Sequence, residues 1–513
     1  MTKPYLHVIL LSSYPAIFLW ANNQGEASLM TALWPMLALV GIGLLLWLFL
    51  GIIIRKWKAA ALFVSLFMLL SFSFGHIIPT NSEPAAKTIG WVVWVLAILF
   101  LLFYLASSHR QFTQTTKIFN YIAVILISIN IINLVFGSWQ LRSLESDLLG
   151  NLPDWSATQV NNPDIYFIVF DRYASPANLT RFYNFDNQSF VDDLKNRGFS
   201  VSSNAHSNYP TTLYSLSSTL NMSYLTNLTD KYGINATNKR PLYHLLENHA
   251  VGRYLQGQNY QYVHIGSWWG GTKQNNNADF NYSLLTPSDF TMLLFRISLF
   301  SAIGEQLNFN EGGFLLLMTN PAHYQHAQYQ FEQLLEIPKK PEPTFTLAHF
   351  LLPHPPYVFS PTGEFLPQEI TDTRSNSENY INQLLYTNQQ IISLVDQVIS
   401  NSSSPPIIIL QSDEGPYPEN FLNQNYQEKT KIKWPEATDE EIQIKTGILS
   451  ALYLPPELAD QMTAPSTPIN TFRTLFSILF NADLPPISES IYIFADSDHP
   501  FQFQDATSRI TTE

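Results

Sequence analysis

Five long apolar stretches crowd the first 137 residues, at about 5–20, 29–54, 59–74, 89–106 and 118–136, and none contains a Lys, Arg, Asp or Glu. Helices that are apolar all round have no polar face to show to water, and roughly 17–25 such residues is the length that crosses the hydrocarbon of a bilayer. The pattern predicts a five-span membrane domain over residues 1–137. A cleaved signal peptide followed by four spans is the other reading of the first stretch, but no small-residue cleavage site precedes Asn22, and Trp20 stands where an interfacial aromatic belongs. Lys3, the cluster Arg55-Lys56-Lys58, and Arg110 with Lys117 alternate along the chain with the uncharged or acidic loops at 22–26 and 81–83. Positive charge marks the cytoplasmic side, so the chain is expected to leave its fifth span on the outer side of the membrane. Spans without charged side chains argue against a transporter or proton relay. They read as an anchor, or as an anchor that also shapes a cavity for a lipid at the outer leaflet.

Charge divides the chain at the same place. Only 13% of the 513 residues are charged, against about 25% in an ordinary soluble domain. Residues 1–150 hold eight Lys/Arg and four Asp/Glu, a net of +4, which leaves −17 for the remainder. So acidic a body argues against nucleic acid, whose phosphates demand clustered cations. The chain has no cysteine, which excludes disulfides, thiolate metal sites, iron–sulfur clusters and cysteine nucleophiles. Residues 138–162, with Pro153, read as a polar linker, and 144–152 as a short interfacial helix.

From Pro163 short β-rich runs alternate with helical segments, which predicts an α/β fold with a central sheet covered by helices on both faces over 163–495, and a C-terminal tail over 496–513. Three runs end in polar groups: 164–170 stops at Asp171, 345–352 near His354, and 406–410 at Asp413-Glu414. Ligands of open α/β sheets lie beyond the carboxyl ends of the strands, so three segments deliver chemistry to one rim. Taken singly, each Asp also reads as a turn or helix cap. Between the first two runs, "SNYPTTLYSLSSTLNM" carries a Pro turn into a short helix beginning near Thr212. A hydroxyl there sits among free N–H groups at the positive end of the helix dipole, where a phosphate can bind, unless Thr211 or Thr212 merely caps the helix.

These motifs resemble the alkaline phosphatase and sulfatase superfamily, in particular its membrane-anchored branch of lipoteichoic acid synthases and lipid A phosphoethanolamine transferases. "PDIYFIVFDRY" is similar to the first metal-binding strand, with Asp171; "SNYPTTLYSLSSTLNM" to the nucleophile helix, with Thr212, or Thr211 in the alternative register; "LAHFLLPHPPYVF" to the substrate-side motif, with His354; and "IIILQSDEGP" to the second metal-binding strand, with Asp413 and Glu414. The resemblance implies a Thr212 nucleophile and a site for one divalent metal on Asp171, Thr212, Asp413 and Glu414. The family's usual Asp-His-Gly reads Asp-Glu-Gly here. An all-oxygen set favours Mn²⁺ or Mg²⁺, with Ca²⁺ or Zn²⁺ as alternatives. Glu414 instead pointing away, leaving an incomplete site, is the alternative.

Formylglycine sulfatases of the same superfamily make their nucleophile from Cys or Ser, with Pro two and Arg four residues later; after Thr212 those places hold Tyr214 and Leu216. A Thr cannot become that aldehyde. The resemblance therefore implies a transferase that moves phosphoglycerol or phosphoethanolamine from a phospholipid donor to an envelope glycan or polymer, rather than a sulfate ester hydrolase. A sulfatase-like or phosphodiesterase hydrolase of envelope esters and a non-catalytic envelope protein that binds a glycan or a partner are the other readings. Trp268 and Trp269, in a Gly-rich bend after a strand-like run at 260–264, read as a substrate wall or as a core plug. Arg473 reads as a phosphate ligand or an ordinary helix-surface cation. Asp496, Asp498 and His499 read as a solvated turn rather than a metal site.

Overall fold

The structure is a computed structural model that describes residues 5–23, 29–78, 84–148, 162–284, 287–306, 320–422 and 432–510. The chain divides into two compact units, Met1–Ser146 with Thr286–Thr319, and Asp147–Leu285 with Asn320–Glu513.

The first unit is helical: α1 (Leu6–Asn22), α2 (Leu29–Ile54), α3 (Trp57–Ile77), α4 (Pro84–Ser107) and α5 (Thr113–Leu148). Four of them, α2 to α5, are long and apolar enough to cross a membrane. At 17 residues α1 is apolar but shorter. Ala59, Ala60 and Ala61 of α3 are buried, and small residues let helix backbones approach where no hydrophobic force separates protein from lipid. Lys56 Nζ donates to the carbonyls of Ala106 (2.7 Å) and Ser108 (2.9 Å), and Lys58 Nζ to Thr113 Oγ1 (2.7 Å). A cation thus closes the C-terminal end of α4, and the α2–α3 and α4–α5 turns stand at one end of the unit, as the charge pattern requires. Helix α5 runs unbroken to Leu148, so the interfacial helix expected from residue 144 begins as its last turn; 149–152 lie outside the described residues. Two helices from much later in the chain, Asp289–Arg296 and Leu299–Gln306, join this core through Phe290, Leu294 and Leu299, and Gly75 N–H donates to the Ile297 carbonyl at 2.9 Å. The stretch 163–495 expected to form one catalytic domain is therefore interrupted by an excursion into the helical unit.

The second unit holds eleven described strands: β1 (Ile165–Phe170), β2 (Ser200–Val201), β3 (Ala205–His206), β4 (Gln261–Ile265), β5 (Phe280–Tyr282), β6 (Thr344–Phe350), β7 (Ile407–Gln411), β8 (Gly447–Ile448), β9 (Ser450–Tyr453), β10 (Tyr492–Phe494) and β11 (Phe503–Asp505). Seven form the central sheet in the order β2-β9-β7-β1-β6-β4-β5, in which β7, β1, β6, β4 and β5 are parallel and β9 runs against β7. The central strands are apolar without alternation because both faces are covered. Ile165, Phe167, Val169, Leu347 and Ile409 face one core, which includes Leu213, Leu216 and Leu220 of the helix Thr212–Asn221; Tyr166, Ile168, Phe170, Ala348 and Leu410 face the other, which includes Leu384, Ile391 and Leu394 of the helix Asn376–Asn401.

The C-terminal segment is no free tail. Strand β11 pairs antiparallel with β10, Phe501 is fully buried, and the Phe503 ring lies 5.7 Å from Tyr209. Asp496 caps the intervening turn, accepting from the backbone of Asp498 and His499 and from His499 Nδ1.

Candidate metal centre

Register decides which strand-end side chains meet. Val169 of β1 lies beside His349 of β6 and Gln411 of β7. Side chains alternate between faces with period two, so Asp171, two residues past Val169, and Asp413, two past Gln411, continue on the face that His349 shares. The same face packs the helix Thr212–Asn221. Asp171, His349 and Asp413 accordingly converge, each presenting one ligand atom within 4.8 Å of the others, all buried. His349 Nε2 lies 3.9 Å from Asp171 Oδ2.

Four atoms of this cluster, Asp171 Oδ1, both Asp413 oxygens and His349 Nε2, are buried without a hydrogen-bond partner. Burial raises the Asp171 and Asp413 carboxyls above the ordinary carboxylate range, with neighbouring acidic charge adding to the shift in both, and burial pushes the His349 imidazole down to about 3. Two buried carboxylates and an imidazole nitrogen with no hydrogen-bond partner fit a divalent cation, because such groups stay buried only when paired or ligating.

Thr211 is the N-cap residue and Thr212 the first residue of the helix, which places the Thr212 hydroxyl and N–H at its positive end. The Thr212 side chain stands near enough to Asp413 to favour the carboxylate form, although it falls short of hydrogen-bonding geometry. Its N–H donates to Glu414 Oε2 at 2.9 Å. The other oxygen, Glu414 Oε1, accepts from Lys445 Nζ (2.5 Å) and Arg172 Nε (3.0 Å), and the aromatic face of Tyr417 lies under both cations, 3.7 Å from Nζ and 4.4 Å from the guanidinium carbon. Glu414, expected to complete the ligand set, instead has both oxygens engaged by protein donors. Gly415 permits the arrangement, since a Cβ there would meet the Ile444 carbonyl at 2.2 Å and drive the Lys445 segment away.

His354 lies farther along the loop after β6, with Nδ1 against the Pro355 carbonyl and its ring 5.8 Å from Trp268. Burial, then the charge of Arg172, drive its pKa well below the usual imidazole value, and the Lys445 charge adds to the effect. Trp268 also packs on His323 at 4.5 Å, whereas Trp269 meets the His349 ring edge-on at 6.2 Å. Arg473 is not brought to this cluster: its guanidinium donates to the carbonyls of Pro485 and Met222. Three participants were absent from the sequence expectation, namely His349, Arg172 and Lys445. His349 was readable as a polar residue inside an apolar strand; Arg172 and Lys445 carried no such signal.

Residues 165–464 match the sulfatase family. The chain belongs to the sulfatase family. No curated protein matches it. Among solved structures, this sulfatase-family chain is similar to the C-terminal periplasmic domain of EcEptC from Escherichia coli, at 13% identity over 70% of this chain and 96% of that one, with a TM-score of 0.45. It is similar to the lipoteichoic acid synthase LtaP from Listeria monocytogenes at 11% identity over 68% and 83%, TM-score 0.37. It is similar to the integral membrane protein lipooligosaccharide phosphoethanolamine transferase A (EptA) from Neisseria meningitidis at 11% identity over 92% and 95%, TM-score 0.35.

Proposed function

We propose that this sulfatase-family chain is a metal-dependent transferase, anchored in a bacterial inner or plasma membrane with its second unit on the outer side. It moves a phospho-alcohol group of the phosphoglycerol or phosphoethanolamine type from a phospholipid to an envelope glycan or polymer, with Thr212 as nucleophile. The observation that carries this reading is the bare Asp171–His349–Asp413 cluster beside a hydroxyl at a helix N-terminus. The multi-pass anchor rests on the apolar helices and on the Lys56 and Lys58 end of the first unit.

Asp171, His349 and Asp413 hold one divalent ion, which when bound polarises a phosphoryl oxygen and lowers the pKa of a nearby hydroxyl. An imidazole among two carboxylates moves the preference toward Mn²⁺ or Zn²⁺ and away from the all-oxygen Mg²⁺ and Ca²⁺ sites. Thr212 Oγ attacks phosphorus, the bond from phosphorus to the diacylglycerol oxygen breaks, and the head group is left as an ester on Thr212. His354, neutral at rest with Nδ1 turned to the Pro355 carbonyl, relays the proton given up by Thr212 to the departing oxygen without holding it, as its lowered pKa requires. An acceptor hydroxyl then attacks phosphorus, the bond from phosphorus to Thr212 Oγ breaks, and the acceptor's proton returns to Thr212 Oγ. Glu414 fixes Thr212 through its N–H, while Arg172 and Lys445 balance the negative charge around the site. Trp268, against His354, forms the substrate wall. The formylglycine route to sulfate esters lacks its Cys or Ser precursor at Thr212.

The test uses the full chain in mild detergent with Mn²⁺ and phospholipid, and mass spectrometry of the Thr212 peptide after acid quench. A head-group phosphate on Thr212 that disappears when acceptor is added, and is absent from Thr212→Ala, is the expected result. Full turnover by Thr212→Ala would overturn the nucleophile assignment.

A further inference from the structure

The Gly-rich bend that contains Trp268 and Trp269 does more than present aromatic rings. Its last residue, Thr272, is almost fully buried, and its hydroxyl lies 2.7 Å from His349 Nδ1 and 2.7 Å from Ser267 Oγ. The bend closes on itself through Ser267 N–H to the Thr272 carbonyl (3.1 Å) and Thr272 N–H to the Trp269 carbonyl (3.1 Å). Gly266 makes that closure feasible, because a Cβ there would lie 1.9 Å from the Lys273 carbonyl oxygen.

Hydrogen-bond polarity along a buried chain orders the site. Gly252 N–H can only donate, so His249 Nδ1 accepts from it (2.9 Å) and the His249 proton sits on Nε2, facing the Tyr262 hydroxyl (3.0 Å). At the other end, the Thr272 carbonyl can only accept, so His264 donates from Nε2 (2.7 Å) and its Nδ1 takes the Tyr262 hydroxyl proton (3.3 Å). Every proton in this chain points toward Thr272, and the Thr272 backbone is held at its end. Beyond it, Ser267 Oγ accepts from Trp269 N–H (3.1 Å) and keeps a lone pair for the Thr272 hydroxyl proton. Ser267 turns its own proton to the Trp269 carbonyl (3.5 Å), so Thr272 can give its proton to Ser267 and is free to accept from His349 Nδ1–H. The opposite polarity would place the proton on His349 Nε2, which has no hydrogen-bond partner and points at Asp171.

We propose that Thr272, backed by Ser267, is a positioning residue that fixes His349 in the tautomer whose Nε2 lone pair faces Asp171 and Asp413. Partners of this kind behind a ligating imidazole typically change metal affinity 10–100-fold when removed. The inference rests on the metal reading above. Its test is Mn²⁺ alone, titrated into the metal-free full chain in detergent for wild type, Thr272→Val, Thr272→Ser and His349→Asn, with electron spin-echo detection of an imidazole nitrogen on the bound ion. Thr272→Val is expected to bind Mn²⁺ about 10–100-fold more weakly with an altered nitrogen modulation, and Thr272→Ser to stay within about threefold of wild type. Equal affinity and modulation in wild type and Thr272→Val, with His349→Asn losing the nitrogen signal, would overturn the positioning role and leave the metal reading standing. Absence of stoichiometric Mn²⁺ or Zn²⁺ in wild type would overturn both. Should Thr272→Val fail to fold, Ser267→Ala, expected to weaken binding less but in the same direction, replaces it; unchanged affinity in that variant would overturn the role of the relay.

Discussion

Replacing Glu414 by Gln separates the two roles open to that side chain. The carboxylate is almost wholly buried and accepts from a fully buried Lys445 at 2.5 Å, from Arg172 at 3.0 Å and from the Thr212 N–H at 2.9 Å. A Gln keeps the shape but turns one acceptor into an NH₂ donor. It must oppose either the two cations or the backbone N–H, and it leaves Lys445 without its nearest counter-charge. Breaking one side of a buried ion pair costs about 3–5 kcal/mol; the Asp171 carboxylate, with Oδ1 4.0 Å from Arg172 and its charge also felt by Lys445, offsets a small part of that. The assay is urea unfolding of the metal-free full chain in mild detergent, followed by tryptophan fluorescence, with Mn²⁺ titration of the folded protein alongside. Glu414→Gln is expected to lose about 3–5 kcal/mol of stability while its Mn²⁺ affinity falls less than about tenfold. Asp413→Asn is the converse: it relieves a buried carboxyl whose pKa is already raised by burial and by Glu414, so metal-free stability holds or rises while Mn²⁺ binding is lost. Glu414→Gln with unchanged stability and no bound metal would refute the positioning account and make Glu414 a ligand.

Other outcomes follow from the same geometry. Thr212→Ser is expected to retain a measurable fraction of turnover and to carry the head-group ester on Ser, since the hydroxyl stays at the helix N-terminus; a peptide mass spectrum without that ester would count against the site. Burial holds His206 and His249 neutral, at about 4 and about 3, below the usual unfolded value near 6.5. A depressed base contributes stability that is complete above the unfolded pKa and falls as pH drops below it. Each of the two therefore removes about 1.4 kcal/mol per pH unit below pH 6.5, until its folded pKa is reached, and His249→Gln should flatten the acid limb of a stability–pH curve. Phe501→Ala should destabilise the second unit by about 3–5 kcal/mol in urea unfolding, because Phe501 is a fully buried core residue and not part of a loose tail.

Much of the site was legible as a list and little of it as an arrangement. Asp171, Asp413 and Thr212 could be named because each terminates an apolar run or opens a helix, and those are local signals. His349 lay in plain view in "LAHFLL", but its meaning depends on register: only opposite Val169 and Gln411 does it fall on the face that Asp171 and Asp413 continue. Glu414 follows Asp413 directly in the bend after β7, yet only the Asp413 carboxylate joins the cluster. The Glu414 carboxylate meets Lys445, 31 residues on, and Arg172 from another strand end. Arg473 fits a phosphate ligand by residue type, yet the carbonyls of Pro485 and Met222 reach it first.

The sequence by itself determined that four or five helices are apolar enough for a bilayer, that the remainder is an α/β domain, and that cysteine chemistry is excluded, because these follow from periodicity, length and composition along the chain. Only the tertiary structure decided that an imidazole joins two carboxylates, that both Glu414 oxygens meet protein donors, and that Thr272 stands behind His349. Those are contacts between segments up to 242 residues apart, and strand register, which no local pattern encodes, brings them together.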